Sequence, residues 1–160
     1  MIKTYIALGS NLNDPIQQIH TAFIALNNIP DTQLVSTSSL YRSAALGVAN
    51  QPDYINVVAE LNTELTPERL LDELQKIELK QGRIRPSQQW GEPRPLDLDI
   101  LLYGDVTMNT PTLTIPHAGM TQRNFVLYPL FEIAPDLRLP NGELLGDLVK
   151  KVPPLNCRVD

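Results

Sequence analysis

Apolar and polar positions along this chain alternate at two periods, and the switches between them mark out its elements. "IKTYIALGS", residues 2–10, alternates and then runs apolar, the pattern of a strand that stops near Gly9. Asp14 followed by Pro15 reads as an N-cap and a first helical residue. Ile16, Ile19, Phe23 and Leu26 then recur at helical spacing and predict an amphipathic helix over 15–28, with His20 on its inner side as a structural residue. "QLVSTSSLYRS", 33–43, is rich in β-branched and aromatic residues and predicts a strand, followed by the loop "AALGVANQPD". In "YINVVAELNTEL", 54–65, Ile55, Val57, Ala59 and Leu61 fall on one face of another strand. Thr66-Pro67 repeats the capped start, and Leu70, Leu74 and Ile77 form the inward stripe of a second helix over 67–81. Residues 82–95 show no periodicity and read as a long loop, and "LDLDILLYG" then reads as a strand.

The order is therefore strand, helix, strand, strand, helix, strand. That predicts an α+β fold: a ferredoxin-like βαββαβ core with both helices packed on one face of an antiparallel sheet. The last third adds a C-terminal extension with a small hairpin and short helices. It comprises a strand at 106–114, a short helical region at 119–134, a hairpin turned at "PNG" (140–142), and a loosely held tail, "KKVPPLNCRVD". A single domain over 1–160 is expected.

Composition narrows the function classes. The chain is 42% hydrophobic and 19% charged, as a packed globular protein is. Its net charge of −5 argues against a general nucleic-acid binder. No window is long and apolar enough for a membrane span, and the opening "MIKTYIALGSNLNDP" has too short an apolar run for a signal peptide. The single cysteine, Cys157, excludes an intrachain disulfide and a thiolate metal cluster. A cytoplasmic monomer with no nucleic-acid or membrane partner is expected.

The candidate chemistry centres on "RPLDLDILLY", 94–103. In a strand, residues i and i+2 share a face, roughly 6.5–7 Å apart, so Asp97 and Asp99 project together. Two carboxylates that close repel one another, and a divalent cation removes that penalty. Carboxylate-only ligation suits Mg²⁺ or Mn²⁺, with substrate phosphates completing the shell. Taken alone, a D-x-D pair is more often matched to arginines at a strand edge. The preceding stretch "KQGRIRPSQQWGEPR", 80–94, changes the weighting, because Lys80, Arg83, Arg85 and Arg94 face one acid, Glu92. Guanidinium forks bind phosphate oxygens, so cation and arginines together suit a nucleoside triphosphate. Trp90, the only tryptophan, could cover a base or close a lid from this loop. The chain has neither a P-loop nor a Rossmann glycine motif, and "LGSNL" reads as a turn and corner.

Two further spots could bind ligand. Tyr54 and Asn56 share a strand face and could stack on and hydrogen-bond a flat heterocycle. "IPHAGMTQRNF" gathers His117, Arg123 and Phe125, with His117 suited to phosphate or proton transfer. A nucleotidyltransferase also combines a Gly-Ser turn with an aspartate pair, but keeps them close; here Gly9-Ser10 and Asp97 lie far apart in the chain.

"YIALGSNL", "QPDYINVV", "E-x-x-x-GRIR", "W-G-x-P-R-x-LDLDIL" and "IPH-x-x-M-x-x-R-x-F-V-L-x-PL-x-EIAP" resemble the 6-hydroxymethyl-7,8-dihydropterin pyrophosphokinases of folate synthesis, from residue 4 to about 145. The resemblance implies transfer of pyrophosphate from ATP, as co-substrate, to the pterin hydroxymethyl group with release of AMP. It implies that Asp97 and Asp99 hold two Mg²⁺ ions, and that Arg83 and Arg94 contact phosphates during transfer. Gln75, Glu78, Arg85, Trp90, Ile100, Thr114, His117 and Arg123 would line or close the ATP site. Tyr54 and Phe125 would sandwich the pterin, and Asn56, Ser43 and Leu46 would read its polar edge. The departures are an extra Glu92, Pro86 near where a lysine can occur, Pro95 for a common threonine, Ala44 for a proline, and Ala118 for an aromatic.

Overall fold

In chain order the elements are β1 (Ile2–Ser10), α1 (Pro15–Asn27), β2 (Thr32–Thr37), β3 (Leu40–Ser43), β4 (Tyr54–Thr63), α2 (Pro67–Lys80) and β5 (Asp97–Tyr103). They continue with β6 (Met108–Asn109), β7 (Thr114–Ile115), a 3-10 turn (Met120–Gln122), α3 (Asn124–Ile133), α4 (Leu145–Val149) and β8 (Arg158–Val159). The structure is a computed structural model and describes residues 1–43, 53–82, 95–155 and 158–159.

The main sheet runs β5-β1-β4-β3-β8, with β2 also on β4, and its pairings are antiparallel. The strand order on this sheet is consistent with the split βαβ pattern. The helical periodicity is honoured: Ile19, Ala22 and Leu26 of α1 and Leu70, Leu74 and Ile77 of α2 are buried against Ile6, Leu8, Ile55, Val57, Ala59, Leu61, Leu98 and Ile100. Each buried Val, Leu or Ile among them contributes roughly 1.5–3 kcal/mol by leaving water, the two alanines less.

The opposite sheet face is covered too. Tyr5, Val58, Leu101 and Leu102 meet Met120, Val126, Leu127 and Leu130 from the α3 region, and Leu145 and Leu148 from α4. The C-terminal extension is thus a third layer over the sheet, which explains why "VVA" (57–59) and "ILLY" (100–103) are continuously apolar. A register shift between Tyr5 and Ile6 leaves Leu101 as the extra residue on β5. It sends both Leu101 and Leu102 to the α3 side and returns Tyr103 to the α1/α2 side.

Several expectations need correction. The strand predicted over 33–43 is two strands: Ser38 donates its N–H to the Val58 carbonyl at 2.8 Å and accepts the Val58 N–H on Oγ at 3.0 Å. A side chain replacing a main-chain acceptor interrupts the ladder there. The strand predicted over 106–114 is instead the two-residue hairpin partners β6 and β7. His20 is exposed, not inward, and meets Phe23 edge-on at 5.8 Å between ring centroids. The tail is held: Arg158 and Val159 pair with Tyr41 and Leu40. The 140–142 turn is present, with Gly142 at φ 93° and its N–H on the Leu139 carbonyl.

The two helix starts differ. Thr66 Oγ1 accepts the Arg69 N–H at 3.3 Å, a true N-cap. Asp14 stands at the matching position of α1 at φ 60° and its side chain makes no cap bond. Thr66→Ala is expected to cost about 1 kcal/mol in urea unfolding. Asp14→Gly, which suits left-handed backbone, is expected to cost less than half of that.

Candidate active site

One end of the sheet collects most of the predicted residues that the structure describes. Register places Asp97 opposite Gly9 and Gly9 opposite Asn56, so the three form a row across β5, β1 and β4. Asp99 lies opposite Ala7. Both aspartates are half-buried, while Leu98 and Ile100 between and beyond them enter the α1/α2 core. The carboxylates therefore sit on the α3 face of the sheet, as strand alternation requires. With strands about 4.8 Å apart, Asp97 and Asn56 stand about 10 Å from each other.

The floor between them is a glycine. A Cβ on Gly9 would meet Asn56 Oδ1 at 3.6 Å and Tyr54 Cδ1 at 3.8 Å. Glycine inside a strand commonly marks a close approach, and here it leaves the row open beside Tyr54 and Asn56. Asn56 is buried and donates from Nδ2 to Ser43 Oγ at 2.6 Å. Ser43 in turn pairs with Tyr54. An amide held in this way presents a fixed donor and acceptor pattern to a ligand.

The third wall comes from the segment after β7. His117 N–H donates to the Leu101 carbonyl at 3.0 Å, which fastens this segment to β5. The ring's Nδ1 accepts the Gly119 N–H at 3.2 Å, so a neutral His117 carries its proton on Nε2. Burial lowers the His117 pKa, the Arg123 charge lowers it further, and Asp97 opposes both. The lowered pKa favours the neutral ring, whose donor is then Nε2–H. Arg123 lies close over the same turn: a Cβ on Gly119 would meet its Cζ at 2.9 Å. Its Cζ is also 6.0 Å from the centroid of the Phe125 ring, in the first turn of α3.

α3 is itself moored to β3. Tyr41 donates its hydroxyl to Glu132, and Ser39 donates its N–H at 2.8 Å and its Oγ–H at 2.9 Å to the other carboxylate oxygen. The Arg158 Cζ stands 5.5 Å over the Tyr41 ring. Burial pushes the Glu132 carboxyl up, but these hydrogen bonds and the Arg158 charge outweigh it and hold it low. Burial and the Glu132 bond push Tyr41 up to about 12.

The remaining predicted residues are more dispersed. Gln75 is half-buried on α2, and Thr114 is exposed on β7 with its hydroxyl donating to Asn109 Oδ1 at 3.3 Å. The Ile100 side chain is in the core and only 3% exposed, so that position offers a ligand its main chain alone. Glu78 is buried and accepts the Leu98 N–H. Leu46, Arg83, Arg85, Trp90 and Arg94 lie outside the described residues, as do Ala44, Pro86, Glu92 and Cys157. Their chain neighbours Ser43 and Pro95 stand beside the row just described.

Three residues of "LGSNL" were read only as a corner. Gly9 forms the floor, and Ser10 and Asn11 are fully buried. Ser10 Oγ–H donates to the Pro95 carbonyl, tying the end of β1 to the chain just before Asp97. A glycine within a strand was the available signal for the first. Nothing local marks a turn serine and asparagine as buried.

The sheet with its helices is that of an α+β protein, and its acidic pair shares one end of the sheet with a buried amide, an aromatic and a histidine. The chain belongs to the 7,8-dihydro-6-hydroxymethylpterin-pyrophosphokinase family, whose model matches residues 5–135. Among curated relatives, the 2-amino-4-hydroxy-6-hydroxymethyldihydropteridine pyrophosphokinase of Haemophilus influenzae is 56% identical over 94% of this chain and 93% of its own length. The protein of the same description from Pseudomonas aeruginosa is 52% identical over 94% of this chain and 92% of its own. Among solved structures, the Plasmodium falciparum HPPK-DHPS chain with pteroate matches with a TM-score of 0.75 at 14% identity. That match covers 94% of this chain but 42% of the longer one, and it speaks to the fold alone.

The charges around His117 give a signed test. Arg123→Gln is expected to raise the His117 pKa towards the ordinary histidine value, because a neighbouring positive charge is removed. Asp97→Asn is expected to lower it further. An NMR titration of the imidazole carbons reads both directions.

Proposed function

We propose that this protein transfers the terminal pyrophosphate of ATP to the hydroxymethyl group of 6-hydroxymethyl-7,8-dihydropterin and releases AMP. The observation that carries the reading is the Asp97–Gly9–Asn56 row. It sets a phosphate-and-metal edge about 10 Å from an edge suited to a heterocycle, across an open floor. Family membership supplies the substrates, because the relatives are named for this step.

The donor set fits Mg²⁺. Two carboxylates on one strand face leave most of an octahedral shell to phosphate oxygens and water, as Mg²⁺ prefers. Two Mg²⁺ ions held by Asp97 and Asp99 would supply neutralisation of the triphosphate charge. The chain's own residues supply the rest. Tyr54 and Phe125 stack on the pterin, and Asn56, set by Ser43, hydrogen-bonds its edge, which fixes the hydroxymethyl oxygen for in-line attack on the β-phosphorus. His117 donates from Nε2 to a phosphate oxygen, and being neutral it does so without releasing a proton. Arg123 gives a further cationic contact, and Arg83 and Arg94 are assigned to the phosphates during transfer. Gln75, Arg85, Trp90 and Thr114 are assigned to the nucleotide, Leu46 to the pterin. Catalysis is then mainly positioning and electrostatic stabilisation. The reading includes a single domain acting as a cytoplasmic monomer.

An assay of AMP formation from Mg·ATP, with and without the hydroxymethyl dihydropterin, tests the activity directly. Pterin-independent ATP breakdown, or pyrophosphate as the product, would overturn it. Asp97→Ala is expected to abolish turnover while leaving pterin binding by calorimetry largely intact. Gly9→Val separates the floor from the metal edge. Its Cβ makes only ordinary contacts and the variant is expected to fold, but it should weaken pterin binding by at least tenfold, about 1.4 kcal/mol.

A further inference from the structure

Leu98 stands between the two aspartates on a strand that, among the described residues, pairs only with β1. Its N–H donates to Glu78 Oε2 at 2.8 Å. Glu78 comes from the last turns of α2 and is only 1% exposed. It lies one turn beyond Leu74 on the buried stripe of that helix, where Leu70, Leu74 and Ile77 are all apolar. A carboxylate at such a position is costly to desolvate, and an aliphatic side chain would continue the stripe. Yet what the carboxylate grips is the one main-chain amide that separates Asp97 from Asp99. On the other side of Asp97, the buried Ser10 hydroxyl donates to the Pro95 carbonyl. The main chain bearing Asp97 is thus held by a buried polar side chain both before and after it.

We propose that Glu78 is a positioning residue for the acidic pair. By accepting the Leu98 N–H it fixes the main chain between Asp97 and Asp99, and so sets the spacing and aim of the two carboxylates towards a divalent cation. The proposal rests on the metal role assigned to those aspartates above. It gives Glu78 a task distinct from the direct nucleotide contact implied by the family resemblance. Groups that orient metal ligands without touching the metal commonly change affinity by about 10–100-fold when removed. An edge strand without such an anchor is free to fray at the amide that matters most.

The test uses the full chain, Mn²⁺ as a spectroscopic probe, and α,β-methylene-ATP as a nucleotide that cannot react. Electron paramagnetic resonance reads Mn²⁺ affinity, and amide hydrogen exchange of Leu98 is read in the metal-free protein. Glu78→Ala is expected to weaken Mn²⁺ binding about tenfold and to speed Leu98 exchange by a similar factor. Glu78→Gln keeps an acceptor oxygen without the charge and is expected to restore both to near wild type. Leu70→Val, a core change on the same helix, lowers stability and is expected to leave both readouts unmoved. If Glu78→Ala does not fold, Glu78→Leu fills the volume, lacks the acceptor and carries the same expectation. The proposal is overturned if the alanine or leucine variant binds Mn²⁺ like wild type, or if Leu98 exchange is unchanged. A glutamine variant as impaired as alanine, with Leu98 still protected, overturns it in favour of a direct contact through the charge. Failure of the underlying metal role looks different: wild type itself binds no Mn²⁺ with the analogue, or Asp97→Asn binds it equally well, and the proposal falls with it.

Discussion

Antiparallel register between β5 and β1 is the constraint on which the rest of the site depends. It sets Asp97 beside Gly9 and Asp99 beside Ala7. A slip of one residue would turn both carboxylates into the α1/α2 core and bring Leu98 and Ile100 out. That slip is opposed by apolar burial on both sheet faces at once, because Leu98 and Ile100 are claimed by one core cluster and Leu101 and Leu102 by the other. The bulge at Leu101 lets one short strand serve both. The aspartates are therefore carried by a strand whose register is fixed from both faces, and they can hold a fixed spacing despite mutual repulsion.

The second sheet face turns a common scaffold into a specific site. α3 lies across β4 and β3, moored through Glu132 to Ser39 and Tyr41. Its first turn delivers Phe125, and the segment leading into it delivers His117 and Arg123. Local structure does not bring this segment to the sheet; the extension folds back over it, where Met120, Val126 and Leu127 are buried, and this sets His117 near enough for the Asp97 charge to act on it. Packing there and electrostatics at the site are coupled, since the same fold-back that half-buries His117 also lowers its pKa.

The polar residues at this end share a logic. Asn56, Glu78, Ser10 and Asn11 are all buried, and buried polar groups are tolerated where they are hydrogen-bonded. Asn56 binds Ser43, Glu78 binds the Leu98 amide, and Ser10 binds the Pro95 carbonyl. Each bond joins two segments that are distant in sequence, so each trades some stability of an apolar core for a fixed relative placement of strands.

Much was determined by the sequence alone. The periodicities gave six elements in order, with β2 and β3 merged into one, along with the stripes of both helices and the shared face of Asp97 and Asp99, because these depend on neighbours two to four residues apart. The motifs gave the family. Only the tertiary structure decided what depends on distant segments. Ser38 splits a predicted strand because its Oγ meets Val58, and the tail is held because β3 offers it an edge. His20 faces out although it lies beside an apolar stripe. Gly9 is a floor and not a corner because Asn56 and Tyr54 stand across from it. Glu78 is turned inward, where it accepts the amide of Leu98, twenty residues later. A hydrogen bond or a contact across the sheet leaves no periodic trace in a chain, and its meaning appears only when both partners are in place.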